Sequence, residues 1–292
     1  MVSYFFLFII GLAVGSFLNV VSLRYKPEQR IFDLKIVGGL AKRGFGRSRC
    51  LNCERELKWY ELIPLFSFFI QLGRCRTCGV KLSWQYPIVE LLSGLIFVAI
   101  PFYLVNPQLL LASGYWLMAI IAIWILIFLS FLLLSVIDLR HFIIPDSINI
   151  FLALLGIVLI FINSGSFVDS YLGYYNLLFG EIGNIWLNHF FAAFVGMAFF
   201  GLIIAITRGR AMGWGDFKLA GALGLIFGWP DTIIVLFSSF IVGALFSLPF
   251  LLLRKRKMKD LVPFGPFMAA GAALIFFLGF NIVDWYFKLF SL

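Results

Sequence analysis

The sequence predicts an all-α polytopic membrane protein of about eight transmembrane helices, with a small cytoplasmic domain between helices one and two. Three observations predict it. Of 292 residues, 62% are hydrophobic and only 13% charged, where a soluble domain carries roughly a quarter charged residues. The apolar residues run continuously, in stretches near the roughly 20 that span a bilayer, which means helices and not the short alternating segments of a barrel. The mean hydropathy of +1.03 leaves a soluble fold nowhere to place so much Phe, Leu and Ile.

The expected spans are 4–23, 86–105, 109–137, 147–163, 188–207, 217–229, 232–253 and 263–287. The first, "YFFLFIIGLAVGSFLNVVSL", lacks the basic start and small-residue cleavage site of a signal peptide and is expected to be retained. Net charge is +9, and thirteen of the 23 Lys and Arg residues fall in 24–84. Such a run is a topology signal for the cytoplasmic side and not a nucleic-acid surface. With 24–84 inside, the basic turns "DLRH", "TRGR" and "RKRKMK" also fall inside, and the Lys- and Arg-free loop 164–187 falls outside. Lys288 is the exception. Three domains follow: a first helix to residue 23, a cytoplasmic domain 24–84, and a membrane domain 85–292.

At about 60 residues the cytoplasmic segment is short of what a self-sufficient apolar core needs, so it should carry a staple. All four cysteines lie there, as "CLNC" (Cys50, Cys53) and "CRTC" (Cys75, Cys78). Paired C-x2-C turns at this separation suit a tetrahedral, structural Zn²⁺ held by four thiolates. Two redox C-x2-C pairs are the alternative. A reducing cytoplasm argues against structural disulfides.

Few acids lie within or beside the spans. Asp231 and Asp284 fall near the expected outer interface, where solvated acids need no explanation. Asp138, in "SVIDLRHFIIPD", and Asp216, in "GWGDFK", sit at the inner ends of spans three and six, at one depth on one side. Two carboxylates a few ångströms apart share a proton, so that one activates a water while the other polarises a scissile carbonyl. Gly213 and Gly215 are expected to supply torsions closed to other residues and room for a substrate strand. Asp216 is equally placed to cap a helix, and capping does not exclude catalysis. Of the two histidines, His141 lies beside the basic turn and His189 at the outer face, places where a lone histidine is usually structural, so nothing here supports Ser–His–Asp chemistry.

In order along the chain, "GLAVGSFLNVVSLR", "RSRCLNC", "ELIPLFSFFIQLGRCRTCG", "YPIVELLSG", "DLRHFIIPD" and "GWGDFK" resemble the bacterial prepilin peptidases, the type IV leader peptidases of the G-x-G-D aspartic protease class. The resemblance covers roughly a third of the chain, between residues 11 and 218. It implies an inner-membrane enzyme that cleaves the basic leader of prepilins and pseudopilins after a glycine, at the cytoplasmic face. The enzyme then N-methylates the new terminus with S-adenosylmethionine. By motif position Asp138 and Asp216 are the catalytic pair, and Asp146 supports the turn behind Pro145. Gly73 and Glu90 are associated with methyl transfer as cofactor-binding residues, and the four cysteines with zinc. Two positions depart from the family pattern, Leu51 where it often has proline and Gln85 where it often has arginine. Both lie in the methyl-transfer region, so a peptidase without methyl transfer is one alternative. The other, a proton-coupled transporter, would place its acids at mid-membrane and show internal repeats, and neither is seen.

If the basic clusters all face the cytoplasm, both termini are extracytoplasmic. A reporter fused after Asp260 is then expected to read cytoplasmic, and an extracytoplasmic reading would contradict the topology.

Overall fold

The computed structural model describes residues 2–27, 48–50, 52–105, 114–165, 182–210, 212–252 and 262–289. Each of the eight expected spans overlaps one helix. These are α1 (Val2–Arg24), α2 (Gln85–Leu104), α3 (Gly114–His141), α4 (Asp146–Gly165), α5 (Ile185–Thr207), α6 (Trp214–Phe227), α7 (Asp231–Leu252) and α8 (Gly265–Leu289). Among the described residues there is no β-strand, only two isolated bridges in the cysteine segment. The basic cluster at 254–259, most of the loop 164–187 and much of the basic stretch before Arg49 lie outside the described residues.

Among the described residues α1, α2, α3, α5 and α7 are long and apolar enough to cross a membrane, while α4 and α8 contribute shorter apolar stretches, Asp146–Ile162 and Gly265–Gly279. The chain is an integral membrane protein. Helix α6 has 14 residues. At 1.5 Å per residue that is about 21 Å, short of a hydrocarbon core of about 30 Å.

The chain folds as two units, Met1–Gly114 and Tyr115–Leu292. In the first, α1 packs on α2, which the sequence groups with 85–292. Two small residues one turn apart on α1 make this possible. A β-carbon at Gly11 would stand 2.8 Å from the Gly94 Cα, and one at Gly15 2.7 Å from the Glu90 Cα. This is the small-xxx-small contact of membrane helices, in which bare backbones approach. The Ser93 hydroxyl donates to the Gly11 carbonyl at 2.7 Å. Nearer the cysteine segment, the buried Asn19 donates to the Tyr86 carbonyl and accepts from the Gln85 amide.

In the second unit α6 is the axis, packed against α4, α5, α7 and α8. Its tight fit comes from small residues on two sides. A β-carbon at Gly224 would fall 2.3 Å from the Ala193 Cα of α5, and α4 brings Gly156 within 2.9 Å of the Leu225 carbonyl carbon by the same measure. Trp124 of α3 fills the space between α6 and α8, with its ring 5.7 Å from Phe227 and 4.4 Å from Phe276. Helix α5 starts on Asn184, whose side chain accepts from the Trp186 and Leu187 N–H groups.

Because the neighbour at Gly224 is rigid backbone and not a side chain that can turn away, Gly224→Ala is expected to destabilise the protein. Overpacking of this kind costs about 1–3 kcal/mol. The check is thermal unfolding in detergent beside a variant at the lipid-exposed Leu245, where no loss is expected. An unchanged midpoint for Gly224→Ala would contradict the packing.

Candidate functional site

The two cysteine pairs sit in the first unit on two turns built alike. Cys50 N–H bonds the Arg55 carbonyl and Glu54 N–H bonds back to the Cys50 carbonyl; Cys75 with Val80, and Gly79 with Cys75, repeat both bonds. The residue after each second cysteine takes a positive φ, +53° at Glu54 and +68° at Gly79, and a bridge closes each turn, Arg49 to Glu56 and Arg74 to Lys81. Nearly superposable turns of this kind aim all four thiols at one point.

The four sulfurs lie within 4.8 Å of one another. Cys50 and Cys78 Sγ are 3.8 Å apart, and Cys53 and Cys75 Sγ 4.0 Å. A metal bound at about 2.3 Å to four thiolates in a tetrahedron needs sulfur separations of about 3.8 Å. These cysteines can therefore hold a metal ion. Their protonation is divided. The Val80 N–H, chiefly, and the Asn52 side chain hold the Cys78 thiol down at about 6. The Arg55 N–H pulls Cys53 down too, but burial and the three neighbouring thiols push it up to about 11. Four thiolates this close repel one another, and a bound dication removes the repulsion. Beside the cluster, Glu61 is buried and takes Arg55 at 2.6 Å and the Lys58 N–H at 2.8 Å. Burial alone would raise its carboxyl, but these partners hold it below the usual range.

Gly73 and Glu90 are not brought to one place. Gly73, at φ +64° in the turn before Cys75, lines an open groove of about 460 Å³ with Phe68, Phe69, Arg74, Lys81 and Trp84. Glu90, buried in α2, accepts the Leu65 N–H at 2.8 Å and the Ser16 hydroxyl.

In the second unit, Asp138 lies in the last turn of α3 and Asp216 in the first turn of α6, 4% and 9% exposed. Asp216 lies within electrostatic reach of Asp138. Asp138 Oδ2 accepts the Gly265 N–H at 2.9 Å, where α8 begins. Asp216 Oδ2 accepts the Gly213 N–H at 3.2 Å. The third residue of a helix thus reaches back to its cap, so Asp216 does cap α6.

Three contacts join the stretches that carry the two acids. A β-carbon at Gly215 would meet the Ile144 Cβ at 2.9 Å. Asn149 Nδ2 donates to the Gly215 carbonyl at 3.4 Å, and Lys218 Nζ meets Asp146 Oδ1 at 2.8 Å. The glycines of "GWG" therefore act differently from expectation. Gly213 has φ −86° and Gly215 is helical. Close packing on Ile144 accounts for Gly215, and torsional freedom accounts for neither. Asp146 is exposed, with its partner Lys218, at the mouth of this junction.

Sequence reasoning missed Gly265, Asn149 and Lys218. Pro266 after Gly265 is a helix-start signal, but nothing ties that start to an aspartate 127 positions earlier. Asp231, expected as a solvated acid, is 4% exposed, with no hydrogen-bond partner at Oδ1. His189 is held by its Nδ1 against the Leu225 carbonyl, a structural place.

Fold and site define an integral membrane protein with a buried acid pair in one helical unit and a tetracysteine module in the other. Comparison with known proteins divides the chain similarly. Residues 9–104 match the bacterial peptidase A24 N-terminal domain, and residues 124–248 the type IV leader peptidase family. A prepilin leader peptidase/N-methyltransferase of Aeromonas hydrophila is 32% identical over 96% of this chain and 92% of its own. One of Bacillus subtilis is 30% identical over 97% of each, and one of Legionella pneumophila 31% identical over 94% and 91%. No solved structure matches. The chain belongs to the type IV leader peptidase family.

The cysteine geometry predicts about one tightly held metal ion per chain. Elemental analysis of carefully prepared protein should find it, and Cys75→Ser, which removes a buried ligand, should lose it and loosen the surrounding segment to protease. A metal-free preparation that keeps the segment protease-resistant would contradict this.

Proposed function

We propose that the chain is a prepilin leader peptidase acting on type IV prepilins and pseudopilins, and that it N-methylates the new N-terminus. The observation that carries the peptidase reading is the pair Asp138 and Asp216, both buried, with Asp216 in the field of Asp138. Close carboxylates of this kind are best accommodated with one shared proton. The ionised member takes a proton from water as it attacks the scissile carbonyl, and the protonated member donates to the carbonyl oxygen. As the C–N bond breaks, the proton taken from water passes to the leaving amine, and a hydroxyl of the gem-diol intermediate returns its proton to the acid that had donated, which restores the pair. Asp146 and Lys218 brace the two stretches at the mouth of the site.

Methyl transfer is assigned to the first unit. The metal is zinc, a structural ion that four thiolates would enclose completely. The groove at Gly73 has the size and mixed lining of a small-molecule site. Its aromatic walls, Phe68 and Trp84, suit an adenine ring, and Arg74 and Lys81 suit a carboxylate. S-adenosylmethionine carries both groups and supplies the methyl. Gly73 forms part of this lining, while Glu90 fixes the segment just before it through Leu65. The location is the cytoplasmic membrane, with both termini extracytoplasmic and the acid pair toward the cytoplasm, a reading that the distribution of the basic clusters supports.

Purified chain incubated with a prepilin and S-adenosylmethionine should remove the mass of the leader and add one methyl group. Leader loss without the methyl would leave the peptidase alone, and neither change would end the reading. At Gly73, φ is +64° and a β-carbon would press on the Phe68 ring at 3.2 Å. Gly73→Ser is therefore expected to lower methylation more than cleavage. Equal losses in a folded variant would argue for one shared site.

A further inference from the structure

The module between α1 and α2 exposes several large apolar side chains within one short stretch. Trp59, Phe66, Ile70 and Leu72 stand out from it, Leu72 at 85% and Trp59 at 77% exposure. Isolated exposed apolar residues are ordinary, but a contiguous aromatic and aliphatic face marks a binding surface.

Two contacts fix where this face lies relative to the membrane. The single-turn helix Phe66–Ile70 is tied at its start to α2, through the Leu65 N–H and Glu90 Oε2 at 2.8 Å. Its Phe68 ring rests 5.1 Å from that of Trp84, the residue that precedes α2. Trp84 and Glu90 bracket the first turn and a half of a membrane-crossing helix. The short helix is thus held at the level where α2 enters lipid, and α2 exposes Ile88, Leu91 and Leu92 there. The charges agree. Between Glu61 and Glu90 there is no acidic residue, and the three cations are Arg74, Arg76 and Lys81, all exposed.

We propose that the Trp59–Leu72 face is seated in the headgroup region of an anionic lipid leaflet, an interfacial anchor that continues the lipid-facing surface of α2. Aromatic and aliphatic side chains bury into the headgroup boundary while neighbouring cations meet anionic headgroups. The anchor holds the cysteine module, and the groove whose rim includes Leu72, at the membrane surface. A freely tumbling domain would carry neither there. This assignment depends on the membrane spans and not on the peptidase or methyl-transfer reading.

The test places a fluorescent acridone amino acid at Ile70 or Leu72 of the full chain, with Phe66 as a third position if either variant loses its metal. Labelled protein goes into nanodiscs of phosphatidylcholine and phosphatidylglycerol, with the phosphatidylcholine brominated high on its acyl chains. Most of the emission should be lost to the brominated lipid, and aqueous iodide should quench little. Quenching by iodide and not by bromine would overturn the proposal, since the face would then meet water. Protection from both would overturn it too, since protein would then cover the face. With Arg74→Glu and Lys81→Glu together, bromine quenching should fall in phosphatidylglycerol-containing discs, and an unchanged value would remove the anionic half of the proposal.

Discussion

A carboxylate can be taken out of water only if something replaces the water, because an unpaired buried charge costs several kcal/mol or more. Asp138 and Asp216 are both buried and face that constraint in the same unit. The second unit answers it with helix starts. Helix α6 begins at Asp216's own cap, and α8 begins at Gly265, whose N–H reaches Asp138. Unpaired N–H groups and the positive end of the helix dipole gather at such starts and favour a negative group. Much else in the unit serves to bring these starts to the acids. Gly265 sits so close to Asp138 that a β-carbon there would lie 2.8 Å from Oδ2. Gly224 of α6 lets α5 close on it, and Gly156 of α4 lets α4 do the same against Leu225.

The helical architecture was legible because a bilayer demands continuous apolar runs, and each run became a helix. The cysteine centre was legible because ligand spacing within a turn is local chemistry, which C-x2-C encodes directly. The acid pair was legible only as two residues of the right type at matching ends of spans. Their hydrogen-bond partners were not. Gly265 and Asn149 act across the packing of helices distant in sequence, and no local pattern records that contact. For the same reason Asp231, read as solvated from its place near the outer interface, proved buried. "GLAVG" carried its small-xxx-small contact in plain view, yet which helix it meets was settled only by α2.

The glycines separate two uses that a sequence does not distinguish. Gly79 takes a positive φ that the second cysteine turn requires, whereas its counterpart in the first turn, Glu54, takes the same conformation with a side chain. Gly215 is ordinary in backbone and needed for space. Substitution at the two should therefore fail differently. A residue at Gly79 strains the turn but meets nothing within 4 Å, while one at Gly215 pushes on Ile144 and so on the stretch that carries Asp138.

The most direct measurement is leader removal from a prepilin by Asp138→Asn, Asp216→Asn and the double variant, with protein level and metal content matched to the parent. Asparagine keeps the shape and the backbone hydrogen bonds but can neither take a proton from water nor share one. If the two acids work as one unit, each single variant nearly abolishes cleavage and the double is little worse than either, since members of one catalytic unit lose function non-additively. Robust cleavage by Asp216→Asn, or full activity in Asp138→Asn beside an inactive Asp146→Asn, would contradict the account.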